Sequence, residues 1–466
     1  MGNGGWGGRE RRCQPTAPGR TWQALRRGVV VASHGRLTLS PASPTLRVLM
    51  PRRRHLHCFD FLRPSALRPL STAIWIASLL AISGCASIPT EYHAPAALTA
   101  ADRTVHNLAV FDRAWSLVND KYFDPKFRGV DWAAMKVKYR PAAAAAADDD
   151  ALYRVLNRMN AELKESHLSA ISPRRAHERS TEHQAAVGLR WQVLNGKRVV
   201  SDVVPGGPAA AAGVRPGWVV LTRNGAPIKD GEVYIPHVGQ PVTYGFLDEH
   251  DAPRTLTLAP ELVNFVRREA RVLPGGALYL RFDEFDFEAL RWLSDHLKTR
   301  PAPPAVVIDL RSNPGGNAFM LSVAVAEFFT KRVPEGRLVS RSGSDHVEHS
   351  FSWLSARYAG PVVLLTGRAT GSAAEIFSHV LQHHGRARVV GHPTAGAVIY
   401  ARLWSLPGGG QIQVPVIDYV GLDGQRLEGH GVTPDVVPPA ITLADLRSGR
   451  DPDLEAALNL LPPSGP

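Results

Sequence analysis

The sequence predicts an α/β fold in which strand–helix units follow an N-terminal helical segment and a small β-rich domain. Three patterns along the 466 residues support this prediction. Residues 104–165 have a helical pattern, within an N-terminal helical segment assigned to 104–180, and residues 184–260 contain short β-rich runs between glycine turns. Residues 262–445 alternate apolar strands with helical stretches, which is typical of a mostly parallel sheet covered by helices.

The helical segment has a clear apolar face in its second half, formed by Leu152, Val155, Leu156, Met159 and Leu163. Their spacing is that of one side of a helix, and the acidic residues 148–150 stand where the helix dipole and capping favour them. The helix should end near Lys164. Residues 165–169 then form a loop or an entering strand, from which a side chain can be presented to a cleft.

The β-rich region contains short runs at 198–200, 218–221 and 255–258. Between the first two, residues 203–217 read as a strand, a turn, a short alanine helix and an exit that ends in glycine. This pattern of short strands and turns predicts a small domain separate from the strand–helix region.

In the strand–helix region, two apolar strands, 306–310 and 361–366, are each followed by a glycine turn and a helical stretch. Reactive groups of such sheets gather at the carboxyl ends of the strands. Asp309 and Arg311 flank the first turn, and we expect a salt bridge between them. The aromatic residues at positions 279–287 are expected to pack in the core.

The second turn places Ser372 at the start of a helix, where its hydroxyl is exposed and free backbone N–H groups follow. Ser372 is a plausible nucleophile on this ground, although serine is also a preferred N-cap. The first turn offers the amides of Gly315 and Gly316. No Gly-Lys-Ser/Thr follows it, so an oxyanion hole fits this turn better than a phosphate cradle.

The formal net charge of +12 does not indicate a nucleic-acid partner, because of where the charge lies. Residues 1–85 contain 13 arginines and two acidic residues, and the rest of the chain has a net charge of +1. All three cysteines, Cys13, Cys58 and Cys85, also lie in this first part. No disulfide or thiolate metal site is therefore expected further along the chain.

The first part of the chain is predicted to be a leader. Residues 71–82 carry no charge, follow a basic stretch and end in small residues, as in a secretory signal peptide. The end of this stretch resembles a bacterial lipobox, so Cys85 is a candidate lipidation site; an ordinary cleavage site is the alternative. A start at Met50 would leave 49 residues untranslated.

The expected organisation is a leader over 1–84 and a tether over 85–103, with the protein anchored in the cell envelope and facing the periplasm. The absence of an aspartate after Cys85 favours the outer membrane.

Three blocks, at 306–316, 371–377 and 388–396, resemble in order and spacing the signatures of the C-terminal processing (tail-specific) serine peptidases. The resemblance covers about residues 104–440. It implies a crotonase/ClpP-like catalytic domain at 262–445 and a PDZ-like domain at 184–260. Residues 187–189 would form the loop that receives a peptide carboxylate, although Trp218 replaces the aspartate usual in the family.

The same resemblance implies catalytic roles for individual residues. Ser372 corresponds to the nucleophile, but Ala397 occupies the position of the catalytic lysine of the best-known branch. A second branch, similar to the tricorn core protease, uses histidine and glutamate instead. This sequence has His167 after Ser166, and Glu428 in the matching Glu-Gly-His-Gly-Val-Thr-Pro-Asp stretch.

The predicted site is therefore a Ser372–His167–Glu428 triad supported by Ser166, with an oxyanion hole formed by the amides of Gly315 or Gly316 and of Ala373. The predicted activity is hydrolysis of peptide bonds in exported proteins through an acyl-enzyme, with no cofactor or metal. A polypeptide is the expected substrate, and the oligomeric state stays open.

Two alternatives remain at this point. A non-proteolytic lipoprotein that binds a ligand or peptide could share the same fold. His379 and His383 are spaced for a shared metal, but the glutamate of a His-Glu-x-x-His motif is missing, and a solvated helix face is the preferred interpretation. Residues 446–466 are assigned to a C-terminal tail.

Overall fold

The computed structural model describes residues 92–93, 96–229, 234–352 and 357–462. The predicted leader, Cys85 and most of the tether lie outside these residues. Among the residues described, no helix has both the length and the apolar character needed to cross a bilayer.

The N-terminal segment consists of three helices, α1 (Ala100–Lys121), α2 (Trp132–Ala144) and α3 (Asp149–Asn160), with short 3₁₀ turns at Phe127–Gly129 and Ala161–Leu163. Asp148 caps α3 by accepting from the Ala151 N–H. The predicted apolar face of α3 is buried, which confirms that expectation. Helix α1 begins at Ala100, inside the segment assigned to the tether.

The chain leaves these helices through Lys164, which has a left-handed backbone with φ 54°. Residues 165–168 then form a loop that leads into β1 (Ser169–Ile171), and α4 (Pro173–Thr181) follows. Strand β1 pairs antiparallel with β18 (Gln411–Val420), a late strand of the chain. The core of the helical segment includes Ile412 and Val414 of β18, so the loop is fixed against the C-terminal half of the protein.

The β-rich unit is a six-stranded antiparallel sheet of order β3-β4-β5-β7-β8, with β6 paired to β5. Its own core contains Phe246 and Trp218. A separate pair, β2 with β9, joins the two ends of the unit. The elements are β2 (Gln184–Ala186), β3 (Leu189–Leu194), β4 (Lys197–Val203), α5 (Pro208–Ala211), β5 (Val219–Arg223), β6 (Ala226–Pro227), β7 (Val242–Leu247), β8 (Pro253–Leu258) and β9 (Glu261–Val263).

The central sheet has the order β10-β11-β12-β15-β16 and is parallel except for β10. Its β12 and β15 strands are buried along their whole length, as expected for strands covered on both faces. The mixed α/β class predicted from the sequence is confirmed. The strands are β10 (Arg268–Val272), β11 (Leu278–Phe282), β12 (Val306–Asp309), β15 (Val362–Thr366) and β16 (Arg388–Gly391), and the helices that follow β11, β12 and β15 are α6 (Phe287–Leu297), α7 (Ala318–Ala326) and α8 (Ala373–His383).

A third sheet has the strand order β1-β18-β13-β14, and β17 also pairs with β18; its further strands are β13 (Pro334–Ser340), β14 (Asp345–His349) and β17 (Ile399–Ser405). A 3₁₀ turn at Pro407–Gly409 connects β17 to β18. This sheet brings the loop after the N-terminal helices close to the segment between β16 and β17.

Two short helices, α9 (Leu443–Ser448) and α10 (Pro452–Leu458), lie in or next to the segment assigned to a tail. Ala457 of α10 is fully buried, and Leu454 packs beside it in a core with Val363 and Val390 of the central sheet. Residues 452–458 are thus a packed part of the catalytic unit.

Candidate active site

Ser372 stands directly before α8, in the turn that follows β15. Its backbone has φ 51° and ψ −119°, an uncommon conformation for a residue with a side chain. The Ser372 N–H donates to the carbonyl oxygen of Ala397 at 2.8 Å and to Oε2 of Glu375 at 3.0 Å. These bonds hold the turn in a shape that leaves the side chain half-buried at the helix start.

Glu375, which is fully buried, joins this turn to the loop after β16. Its carboxylate accepts from Thr394 Oγ1 at 2.5 Å and from the N–H groups of Gly396 and Ala397 at 2.7 and 2.9 Å. Burial raises the pKa of Glu375, and these hydrogen bonds oppose that rise. Ala397, at the position of the family's lysine, therefore lies directly beside the serine.

The first glycine turn packs against Ser372. A Cβ on Gly315 would lie 2.6 Å from the Ser372 Cβ and 3.0 Å from the Ala373 nitrogen, and Gly315 has φ +113°, so only glycine fits there. The Gly315 N–H donates to Oδ1 of Asn313 at 2.8 Å. Its assignment as an oxyanion donor is therefore wrong, because the amide is already used to shape the turn.

The amides of Gly316 and Ala373 remain available. Neither N–H donates to another group within the described parts of the chain. Ala373 is the first residue of α8, so its amide also carries the positive end of the helix dipole. Both amides are therefore free to donate, and their assignment to an oxyanion hole stays a prediction.

His167 lies in the loop after the N-terminal helices, and Ser166 connects it to Glu428. Ser166 Oγ lies 2.7 Å from Nδ1 of His167 and donates to Oε2 of Glu428 at 2.9 Å. Since the single hydroxyl proton of Ser166 goes to the carboxylate, Ser166 must accept from His167, which places the ring proton on Nδ1. Nε2 of His167 is then unprotonated and able to take a proton.

Glu428 is buried, with 4% of its surface exposed, and it has four hydrogen bonds. Besides the Ser166 hydroxyl, its carboxylate accepts from the Ser166 N–H at 2.7 Å and from the Val398 N–H at 2.6 Å. Because Val398 follows Ala397, Glu428 links the histidine loop to the backbone that binds Ser372. The fourth hydrogen bond does not involve the carboxylate: it joins Nδ1 of His430 to the backbone carbonyl oxygen of Glu428, at 3.2 Å.

The hydroxyl of Ser372 and the ring of His167 are not hydrogen-bonded to each other. The two residues are connected through Glu428, Val398 and Ala397. Catalytic hydrogen bonds of this kind often tighten only in the complex with substrate. Burial lowers the pKa of His167; the nearby charge of Glu428 opposes this shift, and Arg179 adds to it.

Comparison with known proteins points to one family. The model of peptidase family S41 matches residues 276–437, and that of the tricorn protease C1 domain matches residues 106–161. A carboxyl-terminal-processing protease of Synechocystis sp. is 27% identical and covers 75% of this chain and 85% of its own. Residues 276–437 of the chain are a peptidase family S41 domain.

Other relatives of this S41 peptidase are also proteases. Tricorn protease homolog 1 of Streptomyces coelicolor is 27% identical over 75% of the chain and 34% of the homolog. The solved structure of a photosystem II D1 C-terminal processing protease superposes with a TM-score of 0.52 at 24% identity, covering 77% of this chain and 98% of that one. The protein is a serine peptidase with a fold shared by these proteases.

Another sequence-based interpretation of the S41 peptidase needs correction. His379 does not lie on a solvated helix face, since it is 7% exposed and its Nε2 accepts from the Leu422 N–H at 3.0 Å. In the described ranges, no group of three or more His, Cys, Asp or Glu side chains is arranged to hold a metal. His379 fixes the turn after β18.

Asn313 is a residue that the sequence analysis did not single out. It is fully buried, its Nδ2 donates to the Phe282 carbonyl at 2.9 Å, and its own carbonyl accepts from the Gly371 N–H at 3.0 Å. Asn313 therefore joins both catalytic turns of the S41 peptidase. An asparagine directly before Pro-Gly-Gly, after a buried strand, is the sequence signal that predicts such a side-chain turn.

Proposed function

We propose that this S41 peptidase is an endopeptidase of exported proteins or peptides that uses a Ser372–His167–Glu428 triad. The contact that carries the proposal is the hydrogen-bonded series from Glu428 through Ser166 to His167. The presence of Ala397 at the lysine position supports it, because a small apolar side chain leaves Ser372 without an amine base.

In the proposed reaction, Nε2 of His167 removes the proton of Ser372 as the hydroxyl attacks the scissile carbonyl carbon. The amides of Gly316 and Ala373 bind the oxyanion of the tetrahedral intermediate. The protonated His167 then gives its proton to the leaving amine, and an acyl-enzyme on Ser372 remains. A water molecule, deprotonated by the same histidine, hydrolyses this ester and releases the product.

Glu428 has an indirect role in this scheme. Its charge stabilises the imidazolium that forms during attack, and Ser166 transmits the orientation of the carboxylate to Nδ1 of His167. The three hydrogen bonds that the Glu428 carboxylate accepts hold it in place in a buried position.

The β-rich unit at 184–260 is assigned in this proposal to a PDZ-like domain, and the catalytic unit to the crotonase/ClpP-like fold. The unit's antiparallel sheet with an edge strand, β3, supports the first assignment, because an extended peptide can add to such an edge. Strand β3 lines a cavity of about 1680 Å³ whose wall also contains Pro314 and Ala369, from the two catalytic turns. A peptide bound along β3 would thus reach the two catalytic turns. The parallel strands β11, β12, β15 and β16, with helices after the first three, support the second assignment.

Cleavage near the carboxyl terminus of the substrate is the specificity that the names of the relatives suggest. The alternative of a non-proteolytic binding protein is not favoured, since the relatives are proteases and the three residues of the proposed triad are all present.

The proposed location is the cell envelope, with a lipid on Cys85 and the catalytic unit facing the periplasm. The apolar stretch before Ser-Gly-Cys supports it. Mass spectrometry of the protein purified from membranes should find a diacylated cysteine at position 85 as the first residue. A Cys85 that carries no lipid on its sulfur, or a Cys85→Ala variant that stays in the membrane fraction, would overturn the anchor.

The pH dependence of kcat/KM follows from the environment of His167. A histidine base must be neutral, so the rate falls as the pH drops through the pKa of His167. Because burial lowers this pKa, we expect the midpoint of the acid limb below the ordinary value of about 6.5. The measurement is the rate of hydrolysis of an unstructured protein substrate from pH 4 to 9, in steps of about half a pH unit. A midpoint above 6.5 would contradict the proposed environment of the base.

A further inference from the structure

Arg311 lies at the base of the first catalytic turn, between β12 and the glycine amides. Its guanidinium contacts three carboxylates. Asp309 accepts from Nε at 3.1 Å and from Nη2 at 2.6 Å. Asp451 accepts from Nη1 and Nη2 at 2.8 Å each, and Asp453 accepts from Nη1 at 3.2 Å.

Two of these carboxylates come from the C-terminal segment. The pair with Asp451 is bidentate, which fixes the plane of the guanidinium as well as its position. Asp451 is also the N-cap of α10 and accepts from the Leu454 N–H at 3.1 Å. Since Ala457 of α10 is buried in the core against the central sheet, this carboxylate is held by a packed element.

The turn transmits the position of Arg311 to the oxyanion donors. The Arg311 N–H donates to Oδ1 of Asp309 at 2.9 Å, and Asn313 then fixes Gly315 and Gly371. Only four residues separate Arg311 from Gly316. A shift of the guanidinium therefore moves the backbone that presents the Gly316 amide.

The charges around Arg311 indicate a strong interaction. Burial alone would raise the pKa of Asp309, but the Arg311 guanidinium and the Tyr279 hydroxyl lower it to about 2. Burial disfavours the charged form of Arg311, yet Asp309 and Asp451 hold its pKa well above the ordinary value. Loss of one carboxylate would leave a desolvated cation only partly paired.

We propose that Asp451 is a positioning residue of the peptidase site: its bidentate pair with Arg311 holds the turn that presents the Gly316 amide to the oxyanion. The C-terminal helix α10 is then part of the catalytic apparatus, and Asp451 acts through Arg311 and not on the reacting atoms. The inference rests on the proposed function, because it assumes that the Gly316 amide binds the oxyanion.

The test is Asp451→Asn, which keeps the size of the side chain and removes its charge. Rates are measured on an unstructured protein substrate and divided by the number of active sites, which a fluorophosphonate titrates to completion. We expect kcat per active site to fall about 10-fold and KM to stay within about twofold, because a displaced donor weakens binding of the transition state alone. The midpoint of the acid limb in the pH profile of kcat/KM should not move, since His167 is unaffected. Affinity for a peptide aldehyde, whose adduct also forms an oxyanion, should fall by a similar factor.

The matched control is Asp251→Asn. Asp251 accepts from Nη2 of Arg447 in α9 at 2.6 Å and from Nη1 at 3.2 Å, so it pairs with the same C-terminal segment without contacting Arg311. This variant should keep kcat per active site. Arg311→Lys, which keeps the charge and loses the bidentate fork, should reproduce the fall in kcat. It provides the test if Asp451→Asn does not fold.

An unchanged kcat in Asp451→Asn, a change in KM alone, or an equal fall in Asp251→Asn would overturn the inference. In each case the wild-type protein would still be labelled and active, so the proposed function would stand. A wild-type protein that is neither labelled nor active would overturn the proposed function, and this inference with it.

Discussion

Ser372→Ala is expected to abolish peptide-bond hydrolysis, with a fall in kcat of at least about 10⁴-fold, because no other group can form the acyl-enzyme. The backbone at Ser372 is held by Ala397 and Glu375, so removal of one oxygen should leave the turn folded. The measurement combines cleavage of an unstructured protein substrate with labelling by a fluorophosphonate. The wild-type protein should carry one adduct, located on Ser372, and the variant none.

Ser378→Ala is the matched control on the same helix. Ser378 is buried and its hydroxyl donates to the Ala374 carbonyl at 2.7 Å, so the substitution removes a serine hydroxyl outside the site. This variant should be labelled and active. Labelling that persists in Ser372→Ala would contradict the assignment of the nucleophile.

His167→Ala is expected to lower kcat by about 10³-fold or more, because Ser372 then has no base and the leaving amine no acid. Labelling by the fluorophosphonate should slow in parallel, since this reaction needs the same activated hydroxyl. Initial rates of proteolysis and labelling, at pH values well above the acid limb, provide the measurement. His346→Ala, which changes an exposed histidine on β14, should have wild-type rates.

Introduction of a lysine at position 397 should not restore the His167→Ala variant. Ala397 is next to Val398, whose N–H binds the Glu428 carboxylate at 2.6 Å. A lysine placed near this carboxylate is stabilised in its protonated form, whereas a general base must be neutral. Recovery of more than about a tenth of the wild-type rate in the double variant would contradict a histidine-dependent site.

The parts of the fold that the sequence predicted are those set by local patterns. The face of α3 follows from residues three and four positions apart, and the strands β12 and β15 from continuous apolar runs. The salt bridge between Asp309 and Arg311 was predictable because the two residues are close in sequence. The pairing of Arg311 with Asp451, 140 residues later, was not, since no local pattern encodes it.

The candidate site shows the same division. The resemblance to the family's motifs predicted Ser372, His167 and Glu428 as site residues. In the structure, Ser166 links Glu428 to His167. The error at Gly315 has a physical reason: a glycine sequence shows that amides are accessible, but not which amide a neighbouring side chain has already engaged. The error at His379 arose because helical spacing does not reveal which face is buried.

The hydrogen bonds between Ser166 and Glu428 join residues 262 positions apart in the sequence. Ser166 lies in the loop after the N-terminal helices, and Glu428 lies in the loop after β18. These bonds can form only after both cores have folded and docked, and closing so long a loop is among the later steps for a chain of this size. Under the proposed mechanism, an emerging or partly folded chain therefore carries a serine without an oriented base, and we expect it to be inert as a protease toward itself and its neighbours until folding is complete.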